Sequence, residues 1–222
     1  MYGIDWVEHF RPAALAWIAG GDPYAVAGYY NPPWLLPILA PLALLPAGVG
    51  RWALFAVTFA LLALAARRMG NPPLMVVLVL LSPPALHGWL NANVDPLALA
   101  GLLLPVPLGL PLLLLKAQVG AGAALVLLIG SWRRGGLVGL ARTLAPLALL
   151  LVWSWARFGA WPLVWLDAPG RSVNASLWPW GLAVGVPTLA LALRRGSLRL
   201  GLMAAPFCAP HVVFHSYVGG LL

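Results

Sequence analysis

The chain has 222 residues, of which 62% are hydrophobic and only 8% are charged, and its mean hydropathy is +0.92. These values exclude an ordinary soluble domain, and the apolar runs are continuous rather than alternating as in a transmembrane β-barrel. The formal net charge is +8, but the arginines stand in isolated pairs between apolar runs. That distribution is typical of cytoplasmic loops, whereas a nucleic-acid-binding protein has a continuous basic face. We therefore expect an all-α, polytopic membrane protein that binds no nucleic acid.

Residues 1–31 are the most polar part of the chain and hold three of its five acids, Asp5, Glu8 and Asp22. Aromatic residues recur on one side of residues 5–18, which predicts a short interfacial helix. The run from Gly20 to Pro23 ends that helix. An aromatic cluster typical of the membrane–water boundary follows: Tyr24, Tyr29, Tyr30 and Trp34.

The remaining chain predicts about six spans and two broken or re-entrant elements, all within one transmembrane domain, residues 1–222. The spans are residues 52–66, 73–89, 116–132, 137–158, 180–193 and 200–218. The first irregular element, residues 32–46, is interrupted by Pro37 and Pro41, and its roughly 22 Å falls short of a hydrocarbon core of about 30 Å. The second irregular element is residues 96–116.

The number of residues between Asp95 and Arg133 supports the prediction that residues 96–116 do not cross the membrane. If Asp95 lies at the outer face and Arg133-Arg134 at the inner face, the chain between them crosses the membrane an odd number of times. It has 37 residues, whereas three crossings need about 60 and one needs about 20. We expect one full span preceded by a broken piece, because Pro105, Pro107 and Pro111 cannot all sit in one regular helix. Irregular backbone at membrane depth must be buried in protein or line a wet cavity.

This topology places most polar residues at the outer face and leaves mainly arginines at the inner face. An outward cavity lined by carboxylates and a few cations suits chemistry on a phosphate-linked substrate. A carboxylate takes a proton from an acceptor hydroxyl, and a cation stabilises the charge that grows on a leaving phosphate. Charged residues inside apolar sequence are costly and point to a functional site.

Several motifs resemble the first outer loop and later elements of the GT-C superfamily of membrane glycosyltransferases, and more narrowly the polyprenyl-phosphate-mannose-dependent mannosyltransferase family. The matching stretches, in order, are Asp5-Trp6, Gly21-Asp22-Pro23-Tyr24, Tyr30-Asn31-Pro32-Pro33, NANVDPLALAGLLL with LLLLKAQ, SVNASLWPW and AAPFCAPHVVFHSY. Relative to that family the chain is shortened at both ends, and its Lys-Pro-Gln motif reads Lys116-Ala117-Gln118. The resemblance implies a GT-C-like fold and transfer of a hexose, such as mannose, with inversion at the anomeric carbon.

By the same resemblance, Asp5 is the catalytic base. The expected substrate-binding residues are Glu8, Tyr24, Asn91, Asn93, Asp95, Lys116, Gln118, Arg171, Asn174, His211 and His215, with Lys116 and Arg171 as phosphate contacts. The expected partners are a polyprenyl-phosphate sugar, a lipid or glycan acceptor and membrane lipids. The expected location is a bacterial cytoplasmic membrane, with the site facing outward. No cofactor is implied beyond the lipid-phosphate sugar as co-substrate, a divalent metal stays open, and no metal ligands are assigned.

Each site residue also has a purely structural interpretation. Asp5 can be a solvated acid near a chain end, Asp95 a helix N-cap before Pro96, and Lys116 a side chain that reaches the interface. Gln118 and Asn174 can satisfy backbone groups. His211 and His215 share an i,i+4 helical face of the kind that zinc sites use, but no third ligand stands out.

Two other functions fit the sequence. A small transporter or flippase also has broken helices with polar residues near the membrane midplane, although no inverted repeat is apparent. A truncated, non-catalytic GT-C-like membrane protein would keep the fold without an open outer cavity. The lone Cys208 excludes an intrachain disulfide.

Overall fold

The computed structural model describes residues 3–165 and 174–222, and these form helices and turns without a strand. The α-helices, α1 to α10 in chain order, span Arg11–Ile18, Leu36–Ala43, Ala47–Arg68, Pro73–Leu80, Pro83–Asn91, Asp95–Leu99, Val106–Leu113, Ala117–Phe158, Leu182–Arg195 and Leu198–Cys208. A π-helical turn, Asp5–Phe10, leads directly into α1. Shorter 3₁₀ segments are Pro23–Ala25, Pro33–Leu35, Ala100–Leu103, Leu114–Lys116, Trp161–Trp165 and Phe214–Leu221. The expectation of an all-α fold is confirmed for the described residues.

Two stretches of the described chain are long and apolar enough to cross a membrane, Ala47–Arg68 and Val106–Phe158. The helices α4 and α5 make a third candidate if they count as one span, although their axes differ by 51°. These stretches indicate a membrane protein. The helices α9 and α10 have 14 and 11 residues, fewer than the roughly 20 that cross a bilayer, so six spans remain a prediction.

The stretch Val106–Phe158 turns sharply at two positions. A Cβ atom on Gly120 would lie 2.2 Å from the carbonyl oxygen of Leu113, although residues seven apart in a straight helix are separated by about 10 Å. The turn is at Lys116, whose φ and ψ are −136° and 88°. At the second turn Gly136 has φ 55° and ψ −146°, a conformation almost confined to glycine. The structure thus divides this stretch into a short arm and two longer ones.

The predicted break before Lys116 is present and takes the form of a hairpin. Its first arm consists of α6 and the 3₁₀ segment that follows it, and its second arm is α7. The two pack so closely that a Cβ atom on Gly109 would lie 2.1 Å from the carbonyl oxygen of Gly101. Pro105 precedes α7, and Pro111 lies inside it. The helix tolerates Pro111 because this proline removes only one internal hydrogen bond. Both ends of the hairpin, Asp95 and Lys116, therefore emerge on the same side.

The N-terminal segments follow the sequence prediction. The π turn and α1 bury Trp6, Phe10, Ala13 and Ala14 against α2 and the hairpin. The indole of Trp6 donates a hydrogen bond to the carbonyl of Ala47, at the start of α3 (3.0 Å). Residues 33–43 form a short apolar helical element, as the interruption by Pro37 and Pro41 indicates.

The C-terminal segment differs from the prediction of a single crossing over residues 200–218. The helix α10 begins next to α3, where Arg199 donates hydrogen bonds to the carbonyl of Met69 and, at 3.4 Å, to Asn71. It ends at Cys208, and the chain then reverses. The side-chain amide of Asn71 donates to the carbonyl of Leu222 (3.0 Å). The segment Phe214–Leu221 therefore returns to the C-terminal end of α3, where α10 begins. The predicted crossing is wrong because the backbone reverses at residues 209–213, where Asn174 and Ser176 hold it through hydrogen bonds with Ala209, Pro210 and Val212.

Candidate functional site

The turn between α5 and α6 positions the most buried acid of the described chain, Asp95, which is 1% exposed. The helix α5 is followed by Ala92 in the left-handed conformation (φ 54°). The backbone N–H of Asn93 then donates to the carbonyl of Gly88 (2.9 Å). This reversal brings the side-chain oxygen of Asn93 within 3.0 Å of the backbone N–H of Asp95. The side chain of Asn93 thus closes a turn just before α6, and the carboxylate of Asp95 points inward.

The N-terminal segment reaches the same turn through Asp5. The Nδ2 atom of Asn93 donates a hydrogen bond of 2.6 Å to Oδ2 of Asp5. The backbone N–H of Gly3 donates to the carbonyl of Leu90 at 2.7 Å. The side-chain amide of Asn93 therefore links the carboxylate of Asp5 to the backbone of Asp95, which stands 90 residues later in the sequence.

Lys116, the one lysine of the sequence, faces Asp95 across the open end of the hairpin. Its Nζ atom lies 3.7 Å from Oδ1 of Asp95, and the lysine side chain is 14% exposed. The same ammonium lies 5.7 Å from the centre of the Phe10 ring, a cation–π distance. A carboxylate this buried would otherwise be uncompensated, so Lys116 is the cation that makes its burial tolerable.

The C-terminal 3₁₀ segment supplies two further groups. Ser216 Oγ donates a hydrogen bond of 2.7 Å to Oδ2 of Asp95, and Nε2 of His215 lies 3.6 Å from the same oxygen. The Nδ1 atoms of His215 and His87 are 3.2 Å apart, so one ring nitrogen donates and the other accepts. Asn91 donates to the carbonyl of His87 (2.9 Å).

Two members of this group were not predicted. Ser216 follows His215 directly, and His87 stands four residues before Asn91, one helical turn away on the same face of α5. That spacing is the one sequence signal that could have pointed to His87. We call Asp5, His87, Asn91, Asn93, Asp95, Lys116, His215 and Ser216 the polar cluster.

The space beside Asp95 is small. A cavity of about 10 Å³ is lined there by Trp89, Asp95 and His215 among others, and room of this size holds about one water molecule. Oδ1 of Asp95 and the indole Nε1 of Trp89 are buried without a hydrogen-bond partner among the described residues. The 3.7 Å separation from Lys116 is ionic rather than a hydrogen bond. A sugar does not fit next to Asp95 in this conformation.

Two predicted site residues of the N-terminal segment lie outside the polar cluster. Glu8 is exposed. Tyr24 donates to the carbonyl of Asn31 (3.0 Å) and stacks against Trp161 at 6.2 Å. Burial, followed by the nearby charge of Asp22, raises the pKa of the Tyr24 phenol, which keeps it a neutral donor. Its geometry fits the structural role of an aromatic cluster member.

The later predicted residues are also separate from the cluster. Gln118 lines a second, apolar cavity. Asn174 joins its own loop to the bend after α10, because it donates to the carbonyl of Pro210 (3.1 Å) and accepts from the N–H of Val212 (3.0 Å). His211 lies in that bend, so the predicted helical pairing with His215 is wrong: no helix connects them. Arg171 lies outside the described residues.

Among residues 3–165 and 174–222, no group of three or more His, Cys, Asp or Glu side chains is arranged to hold a metal ion. The polar cluster offers instead one acid near the surface, one buried acid and one cation, joined by neutral donors and acceptors. This set suits proton transfer and charge stabilisation. No family model matches the chain, and neither a curated protein nor a solved structure shows significant similarity to it.

Proposed function

We propose that the protein is a membrane glycosyltransferase of GT-C type that moves a hexose, such as mannose, from a polyprenyl-phosphate donor to an acceptor at the outer face of a bacterial cytoplasmic membrane. The observation that carries this proposal is the continuous contact Asp5–Asn93–Asp95–Lys116. It supplies a base and a phosphate-stabilising cation within one cluster, as the resemblance to this family requires.

In the proposed reaction Asp5 takes the proton of an acceptor hydroxyl. The hydroxyl oxygen then attacks the anomeric carbon of the donor, the bond from that carbon to the phosphate oxygen breaks, and the configuration inverts. The leaving lipid phosphate keeps the bonding electron pair, and Lys116 stabilises its charge. Asn93 holds the carboxylate of Asp5 through its amide, and Asp95 holds Lys116, so both are positioning residues.

Substrate entry requires movement, because the cavity beside Asp95 admits about one water molecule. The proposed movement is that of the Asp5 side chain, which the hydrogen bond from Asn93 holds against the cluster. Asp5 is half-buried rather than enclosed, so its carboxylate lies at the edge that an acceptor approaches. Closure over bound substrates excludes water from the reaction.

The test is sugar transfer by purified, reconstituted protein with polyprenyl-phosphate mannose as donor. Asp5→Asn keeps the hydrogen bond from Asn93 but removes the base, so transfer falls by about 10²–10⁴-fold. Asp22→Asn is the matched control, since the amide oxygen still accepts from the N–H of Tyr24 at this turn, and its rate stays at the parent level. Equal rates for parent protein and Asp5→Asn would reject the base assignment.

One observation favours a second function, a small transporter. The hairpin from Asp95 to Lys116 is a broken, re-entrant-like element with polar residues at its ends, which transporters use at substrate sites. Reconstituted vesicles distinguish the two functions: a transporter moves labelled lipid between leaflets without changing it, whereas the enzyme produces a glycosylated acceptor. Absence of both activities would favour a non-catalytic protein.

A further inference from the structure

The polar cluster contains two histidines, His87 and His215, to which the proposed reaction gives no role. His87 comes from α5 and is half-buried, whereas His215 comes from the C-terminal 3₁₀ segment and is 3% exposed. They stand 128 residues apart in the sequence and meet only through the fold. We call them the histidine pair.

The rings of the histidine pair meet nitrogen to nitrogen. Their centres are 5.4 Å apart and their planes differ by 25°, while their Nδ1 atoms are 3.2 Å apart. The nitrogens are closer than the centres by roughly the sum of the two ring radii, so both lie near the line that joins the centres. A neutral imidazole has one N–H donor and one bare acceptor nitrogen. One proton therefore bridges the two rings.

The carboxylate of Asp95 determines which histidine donates this bridging proton. Its Oδ2 atom lies 3.6 Å from Nε2 of His215, and an ionised carboxylate only accepts, so the proton of His215 belongs on Nε2. Nδ1 of His215 is then bare, and the bridging proton comes from Nδ1 of His87. This assignment leaves Nε2 of the half-buried His87 as the nitrogen at which a further proton binds.

A further proton brings positive charge to the ring beside Asp95 through the bridge. It binds Nε2 of His87, and the bridging proton shifts from Nδ1 of His87 to Nδ1 of His215. His87 is then neutral again, and His215 carries the charge, with its Nε2 atom 3.6 Å from the carboxylate. Three of the four ring nitrogens then hold a proton, instead of two.

The charges around the histidine pair decide when it takes this proton. Among the described residues, the charged groups that face His215 are Asp95 from α6, Lys116 from the end of the hairpin and Asp5 from the N-terminal turn. The helices α3, α8 and α10, which also pack here, have arginine as their only charged residue type. While Lys116 compensates Asp95, its charge disfavours a second cation at the same place.

We propose that the histidine pair takes up one proton when Lys116 binds the lipid phosphate, and thereby becomes the second cation of Asp95. The single charge of Lys116 then faces two anions, the phosphate and a carboxylate that is 1% exposed. A buried carboxylate that loses its cation is costly. Of the described side chains that contact this carboxylate, Lys116, Ser216 and His215, only His215 is neutral and able to become positive. The link to the phosphate rests on the proposed function, whereas the response to loss of the lysine charge does not.

The first experiment counts the protons on the pair by ¹⁵N NMR of the full chain in nanodiscs with labelled histidine, because bare and protonated ring nitrogens have separate signals. At about pH 6 we expect two N–H groups in the parent pair and three in Lys116→Met. Lys116→Gln, whose amide keeps a hydrogen-bond donor but lacks the charge, gives the same count of three even if Lys116→Met does not fold. Arg142→Met, which removes an exposed cation, keeps two.

Thermal unfolding gives an independent measure of the same proton. On acidification the unfolded chain binds protons at its histidines, but in the folded state only Lys116→Met holds one on the pair. The gap in midpoint between the parent and Lys116→Met therefore narrows, by roughly 3–5 °C for each pH unit below the ordinary histidine pKa of about 6.5. In a His215→Gln background the same gap stays constant with pH, whereas in a His211→Gln background it still narrows.

A lipid phosphate tests the link to the reaction. Farnesyl phosphate added to the parent protein produces the third N–H group, and farnesol, which has no phosphate, does not. A third proton in the lysine variants but not with farnesyl phosphate would reject the link to the donor alone. Two N–H groups in both lysine variants would overturn the whole proposal. Narrowing that survives His215→Gln would also overturn it, because Asp95 itself then takes the proton. None of these readouts measures sugar transfer, so their failure is distinct from failure of the proposed enzyme activity.

Discussion

The ion pair between Asp95 and Lys116 gives the sharpest test of how the polar cluster is held together. In Lys116→Met a chain of similar length replaces the cation, while the carboxylate of Asp95 stays 1% exposed. Ser216 still donates to Oδ2, but Oδ1 has no hydrogen-bond donor among the described residues. Removal of one partner from a buried ion pair costs about 3–5 kcal/mol, because the remaining charge is uncompensated. We expect this loss in the free energy of unfolding.

Thermal unfolding of the purified protein in detergent measures the effect. For a chain of this size, each kcal/mol shifts the midpoint by about 2–4 °C, so Lys116→Met lowers it by roughly 6–20 °C. The matched control, Arg142→Met, removes a cation from the exposed surface of α8 and changes stability by less than about 0.5 kcal/mol. Adding Asp95→Asn to Lys116→Met restores part of the loss, because no uncompensated charge remains. A Lys116→Met shift no larger than that of Arg142→Met would refute the reasoning, and so would simple additivity in the double variant.

Three further substitutions test other contacts. Asn93→Leu removes the side-chain amide that donates to Asp5 and accepts from the backbone N–H of Asp95, so the free energy of unfolding falls by about 1.5–3 kcal/mol in the same thermal assay; an unchanged midpoint would contradict the link. Gly122→Ala places a Cβ atom 2.0 Å from the carbonyl oxygen of Gly201, where α8 crosses α10, and lowers the free energy of unfolding by about 1–3 kcal/mol. Gly48→Ala, with nothing within 4 Å of the added atom, leaves that free energy unchanged or raises it. Asn174→Ala removes the bonds that hold the bend at residues 209–213, so limited proteolysis there becomes faster, and an unchanged cleavage pattern would count against this role.

Local sequence rules were sufficient for the N-terminal helix and for the hairpin. The aromatic face from Trp6 to Trp17 and the glycines after Ala19 give the first helix and its end, as observed. Pro105 separates α6 from α7 because it lacks an N–H and restricts the residue before it. The length argument then required a non-spanning piece before Lys116. These features depend on residues close in sequence, which is why they could be predicted.

The reversal after Cys208 could not be predicted in the same way. Hydrophobicity from Leu200 to Val218 continues on both sides of the bend, so a single helix and a hairpin look alike by composition. What fixes the bend is distant: Asn174 and Ser176 hold the backbone of residues 209–212. His87 was missed for a related reason, because its partner His215 stands 128 residues away. Contacts across that separation leave no local pattern.

The relative strength of the contacts within the polar cluster decides how it opens. Asp5 is attached by one hydrogen bond from a neutral amide and is half-buried, so separating it from Asn93 costs at most about 1.5–3 kcal/mol, and solvent repays part of that cost. Separating Lys116 from Asp95 leaves a buried charge and costs about 3–5 kcal/mol. We therefore expect opening between the side chains of Asp5 and Asn93, while Asp95, Lys116 and the C-terminal residues stay together. In the proposed enzyme the carboxylate of Asp5 then turns away from Asn93, while the buried Trp6 holds the backbone of this turn in place. The phosphate-stabilising cation remains fixed at the end of the hairpin.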